Sequence, residues 1–104
     1  MRNNMEYINV FMEYESEDMP MVYFYEVDLD EERLCRRAIE IFPDRRTSLT
    51  DDLYRDVIEI VPIPTKEELN SGVWGEGFFA CIVSGDEFEK IWESGVYTGR
   101  LSAV

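Results

Sequence analysis

An α+β domain, mainly an antiparallel sheet with a helix packed on one face, is the fold class this sequence predicts. Three observations predict it: period-two apolar alternation through the first half, turn-forming breaks at short intervals, and one apolar stripe at helical spacing near the C-terminus. The length of 104 residues suits a single domain over 1–104. A hydrophobic content of 45% supplies the apolar side chains that acidic disordered chains lack.

Residues 5–14 read as a strand, with Ile8, Val10, Met12 and Tyr14 alternating against Tyr7, Asn9, Phe11 and Glu13. Charged residues and Pro20 break it over 15–20. Residues 21–29 form a second strand, aromatic at Tyr23, Phe24 and Tyr25, and 28–33 a polar turn. Residues 34–42 form a third strand, with Cys35, Ile39 and Ile41 expected on one face and Arg36 and Glu40 on the other. Pro43-Asp44-Arg45-Arg46 is a tight turn, because proline presets the backbone angle at its second position. A short fourth strand follows at 47–49.

Residues 51–56 read as a turn of helix or a loop, and 57–63 as extended chain ending at Pro62-Ile63-Pro64. Thr65-Lys66-Glu67-Glu68 is a capping box that opens a short helix, since Asn70-Ser71-Gly72 follows at once. A glycine-rich loop over 72–77 surrounds Trp74, and 78–83 is a further strand. Ser84-Gly85-Asp86-Glu87 is a second capping box, with Val83 and Phe88 spaced as a hydrophobic staple. Phe88, Ile91 and Trp92 fall on one face of a helix from about 85 to 93. Asp86 and Glu87 suit the positive end of its dipole and Gly95 its exit. The tail 96–104 carries no pattern. The strands are expected to run as a meander of three to five. Both faces of the first hairpin are apolar, so the middle segment is expected to cover the second face.

Charge bounds the function. There are 23 Asp+Glu against 10 Lys+Arg, no histidine, and a formal charge of −13. A phosphate backbone is repelled by such a surface, which argues against direct nucleic-acid binding, whereas a basic protein partner gains encounter rate and selectivity. Residues 1–32 hold ten acids against one arginine, while 33–46 hold five arginines against two acids. A phosphate site on Arg36, Arg37, Arg45 and Arg46 would sit in an opposing field.

Catalytic chemistry finds no support. Histidine, the commonest base and a common zinc ligand, is absent. Cys35 and Cys81 sit in apolar runs without activating neighbours and read as free core thiols. The glycines at 72, 75 and 77 match no phosphate loop. Asp28-x-Asp30-x-Glu32 is no calcium loop, because Arg33 stands where glycine is needed and Ile39 where the terminal glutamate is needed. No cofactor and no metal are expected. With no signal segment and no apolar run of about 18–20 residues, the expected setting is cytoplasmic, away from membranes.

The candidate partner-binding residues are two acidic clusters and the aromatics between them. The first cluster is Glu13, Glu15, Glu17 and Asp18; the second is Asp28, Asp30, Glu31 and Glu32; Tyr23 and Tyr25 are the expected anchors if their face is open. In a meander the clusters fall at opposite ends of a strand, about 25–30 Å apart at ~3.3 Å per residue. The Arg45/Arg46 turn returns to the end that holds Glu15, Glu17 and Asp18, where internal charge balance is expected.

The order Tyr7-Ile8-x-Val10, Tyr23-x-x-Glu26-Val27-Asp28, Arg36-Arg37-x-x-Glu40-Ile41-Phe42-x-Asp44, Pro62-x-Pro64-x-x-x-Glu68 and Glu87-Phe88-x-x-Ile91-Trp92 resembles a small bacterial family known only as a domain of unknown function. The resemblance spans about 5–93 and departs from the family pattern at Arg45, where a glycine is expected in the turn. It supplies no catalytic residues. Small proteins of this kind often look like antitoxins of polymorphic toxin systems, so the resemblance implies an immunity-type protein that blocks a basic toxin. Two other classes stand beside it: a homodimeric accessory domain pairing through an exposed strand, and a DNA mimic whose carboxylates imitate phosphates.

Overall fold

The computed structural model describes residues 4–13, 18–51, 62–73 and 75–102. Within them the chain forms β1 (Met5–Met12), β2 (Val22–Asp28), β3 (Leu34–Ile41), β4 (Thr47–Thr50), α1 (Lys66–Asn70), β5 (Phe78–Val83) and α2 (Gly85–Ser94). The strands make one sheet in the order β4-β3-β2-β1-β5, and every neighbouring pair is antiparallel. The α+β class is therefore the observed one. β1 to β4 form the expected meander, and β5 closes back onto the free side of β1, leaving β4 and β5 as edges. None of the helices among the described residues is long and apolar enough to cross a membrane.

Antiparallel register fixes which side chains share a face. Phe11 opposes Val22 and Asn9 opposes Phe24, so odd positions of β1 align with even positions of β2. Three rows cross the face that α2 covers. Val83, Tyr7, Glu26 and Arg37 form the first; Cys81, Asn9, Phe24, Ile39 and Leu49 the second; Phe79, Phe11, Val22, Ile41 and Thr47 the third. Phe88 and Ile91 of α2 and Tyr97 of the tail bury the apolar part of these rows in one core, with Trp92 and Val83 packed against it. The stripe read at helical spacing thus packs as expected.

The opposite face carries Ile8, Val10 and Val27, closed by Leu69 of α1 with Ile63 beside it. Among the described residues, Ile63 and Leu69 of the middle segment lie on this face, where cover was expected because both faces of the first hairpin are apolar. Arg33 pins that segment: its Nε donates to the Ile63 carbonyl at 2.8 Å and its Nη2 to the Pro64 carbonyl at 3.2 Å, while Glu6 holds the same guanidinium at 3.0 Å. The readings of 52–61, of Tyr14 and of Trp74 lie outside the described residues.

Both helix starts carry the expected caps, unequally. Thr65 and Glu68 form the full reciprocal box. At Ser84 only the serine half is present, its Oγ accepting from Glu87 N–H at 3.1 Å. Gly95 ends α2 in the left-handed region at φ 69°, its N–H bonded to the Ile91 carbonyl, a conformation glycine adopts without a Cβ penalty.

One face assignment in β3 is corrected. Cys35 was expected beside Ile39 and Ile41, but the ladder shifts between Glu26 and Val27: Glu26 pairs with Arg37 and Val27 with Cys35. The skipped residue, Arg36, makes a β-bulge, which leaves one residue unpaired and inverts the alternation beyond it. Cys35 therefore pairs with Val27, a residue of the second core.

Candidate functional site

The bulge gathers charge. Glu26 and Asp28 lie two apart on β2 and so share a face, and the bulge lets two consecutive arginines of β3 reach them. Arg37 grips Glu26 through Nε–Oε1 at 2.8 Å and Nη2–Oε2 at 2.6 Å, while Arg36 Nε meets Asp28 Oδ2 at 3.0 Å. The Tyr7 hydroxyl, one strand further across, donates to Glu26 Oε2 at 2.9 Å. From above, Glu89 of α2 pairs with Arg37. The guanidinium also lies 4.9 Å from the ring centres of both Phe88 and Trp92, which stack on each other at 6.1 Å. One arginine thus ties the sheet to α2 by two carboxylates and two ring contacts.

Ionisation follows from this geometry. Burial alone would raise the Glu26 carboxyl, but the hydrogen bonds from Arg37 and Tyr7 outweigh it and hold it below the usual glutamate value. Arg37 is held still more firmly protonated, first by its Glu26 hydrogen bonds. Burial and the bond to Glu26 both push the Tyr7 hydroxyl up. Burial also pushes the Cys35 thiol up to about 12, which makes it a poor nucleophile. Both cysteines are free and half-buried.

Beside this row, at the end of β1, lies a hollow of about 640 Å³ lined by Asn4, Met5, Tyr7, Ser84, Gly85, Asp86 and Glu89. Gly85 brings the helix start close to the hollow's floor: a Cβ at that position would come within 3.1 Å of the Tyr7 ring, which would have to shift. Asn4 links the hollow to the 28–32 turn: its N–H donates to Asp30 Oδ2, and its carbonyl accepts from Leu29 N–H. Acids from two distant segments, Asp30 and Asp86 with Glu89, therefore border one end of the sheet. Asp30 and Asp86 make no ion pair among the described residues.

The residues singled out from the sequence fall in three places. Asp30, Glu31 and Glu32 are exposed at the hollow's end of the sheet. Glu13 and Asp18 are exposed at the opposite end, beside Gly77, so the two clusters are separated as the meander predicts; Glu15 and Glu17 lie outside the described residues. Asp28 needs correcting: it is 2% exposed and bound by Arg36, so its carboxylate belongs to the interior and does not face a partner. Tyr23 and Tyr25 stack at 5.9 Å and are half-buried against the second core, so the face on which they were expected as anchors is partly covered.

The expected balance of Arg45 and Arg46 against the acidic loop falls largely on Glu15 and Glu17, outside the described residues; among the described residues these arginines make other contacts. Arg45 Nη1 donates to the carbonyls of Tyr97 and Gly99, and Arg46 lies 4.3 Å from the Phe42 ring centre. Arg45 has φ 69°, the conformation that the glycine expected there would adopt.

Sequence reasoning missed Tyr7, Asp86 and Glu89 as members of one site. Tyr7, Glu26, Arg36 and Arg37 all stand in the short motifs that carry the family resemblance, and their convergence was hidden by the unread bulge. Fold and site together define a small acidic α+β domain whose helix is fastened to the sheet by an arginine–carboxylate row. The chain belongs to the family described as domain of unknown function DUF6881, which matches residues 6–97. No curated protein and no solved structure matches it.

Proposed function

We propose that this domain is a non-catalytic binding module that works in the cytoplasm and captures a basic protein, most concretely a basic toxin that it blocks in the manner of an immunity protein. The observation that carries this reading is the acidic hollow, with Asp86, Glu89 and the neighbouring Asp30 around it on a chain of charge −13. An arginine or lysine entering there meets carboxylates on two sides and the Tyr7 ring on a third, and cation–π and ionic contacts act together. The Arg37 row behind it keeps Tyr7 and Glu89 in place before the partner arrives, which reduces the ordering cost of binding. Asp30, Glu31 and Glu32 extend the negative field beyond the hollow and steer encounter.

The test is a titration of the ¹⁵N-labelled protein with methylguanidinium, the head of an arginine side chain. Saturable shifts at Tyr7, Gly85 and Glu89, weakened in Asp86→Lys, are expected. Shifts spread evenly over all exposed acids, unchanged by that substitution, contradict the assignment.

A second reading, a homodimer through an exposed strand, draws on β5. It is an edge strand within the uncharged run 77–85, and Phe79 and Ile82 are 43% and 45% exposed. Light scattering distinguishes the two: a dimer that persists at high salt favours this second reading.

A further inference from the structure

A second cleft lies on the α2 side of the sheet, away from the acidic hollow. Asn9, Phe11 and Phe24 form its floor, Lys90 of α2 stands on one side, and Tyr97 and Arg100 of the tail stand on the other. Its volume is about 680 Å³, the size of a small-molecule site.

Packing does not account for three features of this cleft. Asn9 stands in the middle row of an apolar face, 7% exposed, and its Oδ1 is buried without a hydrogen-bond partner. An unpaired buried amide oxygen destabilises a fold, and native structures keep few of them. Lys90 and Arg100 make no ion pair among the described residues, although the chain carries 23 acids. The tail wall is also held in place before anything binds. Arg45 bonds the Tyr97 and Gly99 carbonyls, and Thr47 Oγ1 bonds the Gly95 carbonyl at 2.7 Å. Gly99 must lack a side chain, because a Cβ there would lie 2.6 Å from the Tyr97 ring.

We infer that this cleft binds a small amphipathic organic anion: an aromatic or heteroaromatic body with an N–H or O–H donor at its inner end and one carboxylate-type charge at its outer end. The body stacks against Phe11, Phe24 and Tyr97. The donor pairs with Asn9 Oδ1, which a turn about the soft χ2 torsion brings to the cleft. The anion meets Lys90 and Arg100, whose guanidinium already lies 5.4 Å from the Phe11 ring centre. Such hydrogen bonds between charged groups are stronger than neutral ones. Glu87 on the same rim disfavours a second negative charge. This site is independent of the acidic hollow and of the partner proposed for it.

Three indole probes test the three parts of the assignment, read by amide and side-chain shifts of the full chain. Indole-3-acetate should saturate one site with shifts at the Asn9 carboxamide, Gly99 and Arg100. 1-Methylindole-3-acetate, which lacks the donor, should bind about tenfold more weakly, the equivalent of one hydrogen bond. Tryptamine, with the charge reversed, should lose at least as much. Asn9→Leu should weaken indole-3-acetate binding at least about tenfold, remove the preference over 1-methylindole-3-acetate and raise the melting temperature, and Lys90→Gln should weaken binding with the melting temperature unchanged. Equal affinity for the three probes, no shifts at Asn9 at millimolar probe, or full binding by Lys90→Gln would each overturn the proposal.

Discussion

Arg37 and Glu26 stand directly opposite each other on β3 and β2 and are joined by two parallel hydrogen bonds, at 2.8 and 2.6 Å. This fork-to-fork geometry fixes both side chains, and through Arg37 it fixes Glu89, Phe88 and Trp92 of α2. Glu26→Gln removes the forked pair and leaves Arg37 to Glu89 alone. It should therefore destabilise the fold by about 2 kcal/mol, the scale of hydrogen bonds to a charged group, measured by urea unfolding at pH 7. The folded-state carboxyl lies below its ordinary value of 4.5, so its contribution is complete above that pH and is lost as pH falls through the folded value. The gap between wild type and Glu26→Gln should close under acid, and a gap that stays constant down to pH 2 would show that the pair carries no such linkage.

Glu40 gives the opposite sign. Burial raises its carboxyl above 4.5, so the folded state favours the protonated form and the charged form weakens the fold above that range. Glu40→Gln should raise the melting temperature at pH 7 and give no gain at pH 3. A loss of stability at pH 7 would mean that the carboxylate has a favourable partner.

How much of this was legible in the sequence depends on range. Alternation and caps are local, so the β1 to β3 strands, β5, α2 and both cap serine–threonine positions could be read from neighbours in the chain. The bulge at Arg36 could not, because a shifted ladder is decided by two strands at once and the residue type at Arg36 does not mark it. Reading β3 as unbroken alternation put Arg36 opposite its true face and hid the pairing of two arginines with two acids. The hollow was missed for a related reason: Tyr7 and Asp86 are far apart in the chain and line one hollow only because β5 folds back beside β1.

Arg45 holds a left-handed conformation at φ 69° while clamping the tail carbonyls. Arg45→Ala loses the clamp and keeps the strain, whereas Arg45→Gly loses the clamp and removes the strain. The glycine variant should be more stable than the alanine variant by about 1 kcal/mol, and both should show faster hydrogen exchange at Tyr97 than wild type. Equal exchange in all three would show that the tail is held by Tyr97 packing alone.

Asn70 acts as a short strand mimic on the open edge of β5. Its Oδ1 accepts from Ala80 N–H at 2.7 Å and its Nδ2 donates to the Ala80 carbonyl at 2.9 Å. Exposed edges invite pairing with other chains, and β5 lies in the uncharged run 77–85. Asn70→Ala should cost on the order of 1 kcal/mol and bring concentration-dependent self-association in sedimentation. A variant that stays monomeric at high concentration would show that the plug does not restrain the edge.

The central claim is that the acidic hollow captures a basic protein. Its most direct test is the association rate of the partner recovered from the source cell, measured for wild type and Asp86→Lys at low and high salt. Exposed charges are screened beyond about 8 Å at physiological ionic strength, so the account predicts a rate that falls steeply with salt for wild type. It also predicts a slower rate with a shallower salt dependence for Asp86→Lys, with the fold unchanged. A partner whose association is indifferent to salt and to that substitution would contradict it.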